Sequence, residues 1–214
     1  MMKNLVIIGA RGWGRETYGT FINSLEYKKG GYVVKGFLDD KSDALNGFKG
    51  DWPPILGRVE DYIVHPDDVF FCAMGDPHWR KHYAEIISKK GGCFINIFDW
   101  SARVNPSAIL GEGVFVGPFS LVSANVRIGN QTMIQAYCDI GHDVTIGEYA
   151  SIESYVFMGG YSSLGDLAIM HTKSSVIPHK SVGKESVVGF GSVVMRDVKD
   201  GFHVFGNPAK RINV

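Results

Sequence analysis

Long apolar runs are missing from this 214-residue chain. No stretch approaches the ~20 apolar residues of a membrane span. The apolar run in the opening MMKNLVIIGA is too short for a signal peptide, so a cytoplasmic location is expected. Excess charge is missing too: Lys plus Arg and Asp plus Glu stand at 22 each, for a net charge of zero. Nothing in that balance resembles the basic face nucleic-acid binding needs. It leaves room for anionic small ligands held by local amides and a few cations. Cysteine is scarce: Cys72, Cys93 and Cys138 lie far apart, form no CxxC pair, and read as free thiols in a reducing cytosol. Proline is sparse at 8 against 27 glycines, which suggests repeated tight corners rather than a disordered linker.

A repeat of six is present. From Val104 the register passes Leu110, Val116, Val122, Ile128, Ile134, Ile140, Ile146, Ile152, Met158, Leu164, Met170, Val176, Val182, Val188 and Val194, all aliphatic or Met, with no insertion. Four residues after most of these sits a small residue, as at Ala108, Ser120, Thr132, Cys138 and Ala150, and a glycine often follows directly, as at Gly111, Gly117, Gly141 and Gly147. A period of six fits neither an isolated α-helix nor a lone strand. It fits a solenoid with flat faces, in which the aliphatic and small residues fill the core. The glycines and polar residues are expected at corners that need φ > 0. Three faces of six give 18 residues per coil, about five coils in all, with neighbouring coils paired as parallel strands.

Units such as Ile140-Gly-His-Asp-Val-Thr and Ile146-Gly-Glu-Tyr-Ala-Ser resemble the hexapeptide repeats of the left-handed β-helix acyltransferases. The left hand is implied by that resemblance. So are a homotrimer and an acyl-CoA lying between neighbouring helices, and a three-sided prism suits such closed association.

The first half alternates strands and helices. Strands are predicted over Asn4–Ile8, Val33–Leu38, Val69–Met74 and Cys93–Ile97, and helices from Arg15 to about Leu25 and from His78 to Lys89. The pattern predicts a small parallel sheet of Rossmann type. Between the first strand and helix lies Gly9-Ala-Arg-Gly12-Trp-Gly14. Its GxxGxG spacing differs from the dinucleotide pattern GxGxxG. Two readings fit: a phosphate cradle of backbone amides at a helix N-terminus, or glycines that only permit a tight turn. Asp39 at the second strand end is either an acceptor for ribose hydroxyls or an exposed loop carboxylate.

A short Rossmann-like domain followed by a β-helix resembles the NeuD and PglD group of sugar acetyltransferases. The likeness covers nearly the whole chain: the glycine turn, Gly36-Phe-Leu-Asp-Asp40, Gly75-Asp76 followed by Arg80-Lys81, and the closing Gly206-Asn-Pro-Ala-Lys-Arg211. It implies an acceptor-binding domain over residues 1–98 and an acyltransferase β-helix with a C-terminal tail over 99–214. Substrate contacts would come from Gly9, Arg11, Gly12, Trp13, Gly14, Asp39, Asp40, Gly75 and Asp76. Trp13 stands where the family commonly has His, and Arg11 replaces a small residue. An indole can stack on a sugar or base but cannot donate like an imidazolium.

Acyl transfer from a thioester needs a base and a donor for the developing oxyanion. His142 follows a turn glycine and, two residues past Ile140, points outward; Asp143 is placed to orient it. Gly160 lies 18 residues on, beside His142 on the next coil, where its N–H is exposed. The resemblance makes His142, Asp143 and Gly160 the catalytic group. His171 and His179 have no acidic sequence neighbour and read as surface residues, as do His65, His78, His82 and His203. No zinc set is expected from the histidine spacing, which argues against the γ-class carbonic anhydrases that share this β-helix. By resemblance, acetyl-CoA would meet Ser151, Gly160, Thr172, Lys173, Phe190, Asn207, Lys210 and Arg211, with Ser154 in the same corner column as Thr172 and Phe190.

The sequence therefore predicts an acetyl-CoA-dependent sugar N-acetyltransferase of surface glycan biosynthesis. O-acetylation of a free sugar or sialic acid, and a non-catalytic sugar-binding β-helix, are the alternatives.

Overall fold

A computed structural model describes residues 2–213, in two compact units that divide between residues 97 and 98. In the first unit β1 (Lys3–Ile8) is flanked by β2 (Tyr32–Leu38) and β4 (Asp68–Cys72), all parallel. The edges are β3 (Ile55–Gly57) and β5 (Cys93–Phe94), giving the order β3-β2-β1-β4-β5. The short β3 was not anticipated; it follows Pro53 and Pro54, and the Pro54 carbonyl accepts the Phe37 N–H at 2.8 Å. Strand β1 is central and its last four residues are buried, as expected where both faces of a parallel sheet are covered. Helices α1 (Gly12–Asn23), α2 (Leu25–Lys28) and α3 (Pro77–Lys89) complete this unit, α1 starting three residues earlier than the sequence suggested. The predicted strand over Cys93–Ile97 is two pieces: Cys93–Phe94 joins the first sheet, whereas Ile97–Phe98 begins the solenoid.

The second unit is a left-handed parallel β-helix. Two-residue strands pair in parallel with partners 18 residues away, as in Leu121–Val122 with Asp139–Ile140. They stack into sheets of six, five and eight strands, one per face. Fourteen of the sixteen register positions, Val116 through Val194, are buried, and Val104 and Leu110 pack against the same core. Some buried hydroxyls are answered by the backbone of a neighbouring coil: Ser120 Oγ donates to the Gln135 carbonyl at 2.6 Å and Thr132 Oγ1 to that of Gly147 at 2.7 Å, whereas the buried Ser162 and Ser174 hydroxyls have no partner among the described residues. An antiparallel hairpin, His203–Phe205 with Lys210–Ile212, closes the eight-stranded face.

The corners differ from expectation. Positive φ falls on the third residue after each core aliphatic from Leu110 to Val188, and from Phe119 to Glu185 every such residue is non-glycine. The glycines directly after the aliphatic serve close approach instead. A Cβ on Gly141 would lie 2.8 Å from both Gly160 N and the Met158 carbonyl oxygen of the next coil. Cys72, Cys93 and Cys138 are free thiols. Among the described residues no helix is long and apolar enough to cross a membrane.

Candidate active site

Two sites were expected, one in each unit. In the first unit the chain leaves β1 through Gly9, whose φ of +92° is left-handed and whose N–H donates to the Leu38 carbonyl at 2.7 Å. A Cβ at Gly14 would collide with the Gly9 carbonyl oxygen, so a glycine is required for α1 to lie this close to the end of β1. Gly12 carries neither demand. Arg11 occupies the N-cap of α1 and supplies no side-chain cap bond. Helix α3 is capped conventionally: Asp76 Oδ1 accepts the His78 N–H at 2.9 Å and the Trp79 N–H at 3.0 Å.

A cavity of about 450 Å³ opens at this turn, lined among others by Gly9, Arg11, Trp13, Gly14, Asp39, Asp40 and Gly75. Gly12 and Asp76, also expected here, stand outside the lining; the Asp76 carboxylate is occupied by its cap. Trp79 and Tyr83 are lining residues that the sequence reading missed. They lie one turn apart on α3 and stack with centroids 5.9 Å apart, a spacing that was available in the sequence. Burial, followed by the charges of Asp40, Glu60 and Asp39, raises the pKa of Tyr83 and keeps its phenol a donor.

Asp39 matches neither sequence alternative cleanly. Its side chain is only 7% exposed; Oδ2 accepts the Ala10 N–H at 2.9 Å and Oδ1 the Lys41 N–H at 3.0 Å. It ties the glycine turn to the end of β2 while still lining the cavity. Arg80 is fully buried, and its Nη1 donates to the carbonyls of Met74 at 2.7 Å and Gly75 at 3.2 Å, holding the opposite wall.

In the second unit Ile140 anchors the coil from inside, and His142 two residues later projects outward with its side chain 58% exposed. Its Nδ1 lies 2.8 Å from Asp143 Oδ2. Asp143 sits at a left-handed corner, φ 59°, and also accepts from Asn125 Nδ2 at 3.2 Å. The hydrogen bond to His142 is the main cause that holds the Asp143 carboxyl below its ordinary pKa. With Nδ1 facing a carboxylate, the ring carries its proton there and presents Nε2 outward. Gly160 is directly beside it: a Cβ there would lie 2.8 Å from His142 Cε1 and 2.9 Å from Nε2. The coil spacing thus brings an oriented imidazole and a glycine backbone together. Tyr161 meets the His142 ring edge-on at 5.1 Å, and His179 stacks on Tyr161 at 4.9 Å.

The expected cofactor residues fall on another corner. Ser154, Thr172 and Phe190 share a column; Ser151 is buried in a strand, and Lys173 is exposed at a left-handed corner. Lys210 and Arg211 are exposed on the last strand, where the Arg211 guanidinium lies 4.0 Å from the centroid of the Phe202 ring. Asn207 precedes a cis proline, Pro208. His171 was read as lacking an acidic neighbour, yet its Nδ1 lies 2.9 Å from Oε1 of Glu153, one coil earlier.

Comparison with known proteins agrees with both halves. Residues 4–87 match the family described as the PglD N-terminal domain, and residues 125–160 match the bacterial transferase hexapeptide (six repeats). The UDP-N-acetylbacillosamine N-acetyltransferase of Bacillus subtilis is 32% identical over 117 residues, which are 54% of this chain; the match spans about half, 51%, of that relative's own length. Among solved structures, PerB from Caulobacter crescentus, in complex with CoA and GDP-perosamine, superimposes with a TM-score of 0.86 at 27% identity, covering 100% of this chain and 99% of that one. The acetyltransferase domain of PglB from Neisseria gonorrhoeae gives 0.85 at 25% identity, covering 98% and 100%.

Proposed function

We propose that this chain, a NeuD/PglD-like sugar acetyltransferase of the hexapeptide-repeat type, moves an acetyl group from acetyl-CoA to an amino group of a nucleotide-linked sugar. The observation that carries the reading is the juxtaposition of His142, oriented by Asp143, with Gly160 of the next coil. The sugar amine attacks the thioester carbonyl carbon directly while His142 Nε2 takes its proton. The Gly160 N–H donates to the oxygen as it becomes anionic. As the C–S bond breaks, the imidazolium returns a proton to the departing thiolate, so CoA leaves as the thiol. No covalent acyl-enzyme is needed, and a ternary complex follows.

The acceptor belongs in the cavity of the first unit. The uncapped start of α1 and the turn amides suit a diphosphate. Trp13, Trp79 and Tyr83 offer rings for base or sugar, and Asp39 and Asp40 offer acceptors for hydroxyls. Transfer to nitrogen is supported by the relatives: PerB is crystallised with CoA and GDP-perosamine, and the Bacillus relative is named an N-acetyltransferase. Acetyl-CoA is assigned to the corner of Ser151, Thr172, Lys173 and Phe190, with Asn207, Lys210 and Arg211 towards its phosphates. We place the enzyme in the cytoplasm as a homotrimer serving surface glycan synthesis.

The test is incubation with acetyl-CoA and a panel of UDP- and GDP-linked amino sugars, read by mass spectrometry. One nucleotide sugar should gain a single acetyl group on nitrogen, and His142→Ala should reduce that turnover to background. Acetylation confined to hydroxyls of free sugars would replace the acceptor assignment. Turnover unchanged in His142→Ala would remove the base.

A further inference from the structure

The β-helix holds a second imidazole oriented by a carboxylate, at a different corner from His142. Glu153 and His171 follow successive strands of the eight-stranded face, Ser151–Ile152 and Ile169–Met170, so they stack one coil apart. Glu153 Oε1 lies 2.9 Å from His171 Nδ1, and Oε2 accepts both the Thr172 N–H at 2.9 Å and the Thr172 hydroxyl at 3.1 Å. Three donors converge on one carboxylate. A carboxylate only accepts, so Nδ1 carries a proton towards it and Nε2 is the ring nitrogen left to meet a ligand. The ring face is fixed as well: Phe190 stacks on it at 4.5 Å between centroids and 12° between planes. Rotation is therefore restrained from the edge and from the face, while Nε2 has no partner among the described residues.

A second transfer centre is the wrong reading of this arrangement. His142 has an unobstructed glycine backbone beside it. The glycine one coil after His171 is Gly189, and the position its side chain would take is filled by the Phe205 ring. A thioester oxygen has no comparable access to a donor there. What the corner offers instead is an oriented acceptor next to an exposed aromatic ring, Phe190, and the Thr172 side chain. Alternating apolar surface and a single acceptor suit a chain of methylenes interrupted by secondary amides.

We infer that His171 Nε2 accepts a hydrogen bond from an amide N–H of the pantetheine arm of CoA, with Glu153 as the positioning residue that fixes its tautomer. This rests on the acetyl-CoA reading above and adds to it a contact that neither sequence spacing nor family likeness had singled out.

Two substitutions separate binding from folding. In His171→Asn the side-chain amide N–H replaces Nδ1–H towards Glu153, and only Nε2 is lost. In His171→Ala both are lost. Calorimetric titration of the full chain with CoA should show affinity about tenfold weaker for both variants, the scale of one lost hydrogen bond to a buried ligand amide. The acceptor KM should be unchanged, and His171→Asn should melt with the wild type. Wild-type CoA affinity in His171→Asn overturns the inference. So does weakened binding accompanied by the same drop in melting temperature as His171→Ala, which would assign the pair to fold stability. If the wild-type chain itself binds no CoA, the acetyl-CoA reading fails first, and that result is distinct from either.

Discussion

The His142 imidazole lies over the backbone of Gly160, close enough that a Cβ on residue 160 would stand 2.8 Å from its Cε1. The proposed base and oxyanion donor thus come from residues 18 apart in sequence and adjacent in space. Gly160→Ala should displace the ring and screen the N–H together. We expect kcat to fall on the order of 10²-fold with little change in melting temperature, because residue 160 is at the outer corner and not in the core. Steady-state kinetics beside a thermal melt checks this, and a variant with wild-type kcat would remove Gly160 from the chemistry.

Asp143 occupies a left-handed position that Asn also tolerates, so Asp143→Asn changes charge without straining the corner. Without the carboxylate, the ring is free to place its proton on Nε2 and lose its basic edge. A fall in kcat of about 10²- to 10⁴-fold is expected, with the acetyl-CoA KM preserved. The carboxyl of Asp143 is held low, first by its bond to His142, so it stays ionised in mildly acidic solution. The wild type therefore keeps its orienting carboxylate charged further into acid than an ordinary carboxyl would. A pH–rate profile of both proteins provides the comparison.

Trp13 lines the proposed acceptor cavity beside the glycine turn. Its replacement by Ala should raise the acceptor KM about tenfold, the scale of a lost aromatic stack. The acetyl-CoA KM should not move. A variant whose two KM values rise together would place Trp13 in a wider structural role.

A charge cluster centred on the buried Asp68 carboxylate is expected to contribute to acid stability. Asp68 Oδ1 meets Lys35 Nζ at 2.8 Å, and Oδ2 accepts the Tyr62 hydroxyl at 2.8 Å and the His65 N–H at 3.1 Å. Burial alone would raise the Asp68 pKa; the bonds from Lys35, Tyr62 and His65 outweigh it and hold the value below ordinary. A lowered folded-state pKa gives stability that is present above the unfolded value and lost as pH falls through the folded one. Asp68→Asn should cost about 2 kcal/mol at neutral pH. Wild type and variant should converge in strong acid, which denaturant titrations at several pH values will measure.

The solenoid was legible because its core position recurs without interruption, from Val104 to Val194. The pairing of His142 with Gly160 came from the same arithmetic. That arithmetic was not extended to His171, whose carboxylate is one coil back; looking only at sequence neighbours hid Glu153. Strand β3 was hidden for another reason: three residues after two prolines carry almost no local signal, and the strand exists because β2 offers an open edge. The glycine corners were misassigned because glycine has two uses, positive φ and close approach, and spacing alone does not separate them. Trp79 and Tyr83 were overlooked although their separation by four on a predicted helix put them on one face.

Twelve non-glycine residues, from Phe119 to Glu185, hold the left-handed corner conformation at strict intervals of six. Each such residue ordinarily costs on the order of 1 kcal/mol, yet the chain accepts Phe, Tyr, Asp, Lys, His and Leu there alike. The twist is imposed by the stacking of the coils and does not depend on the side chain. Those that face outward therefore form columns of sockets open to many side chains, whereas Gln131 and Leu167 are buried. A lineage can swap what it presents along the outside, one socket at a time, while the interior that makes it fold is inherited intact.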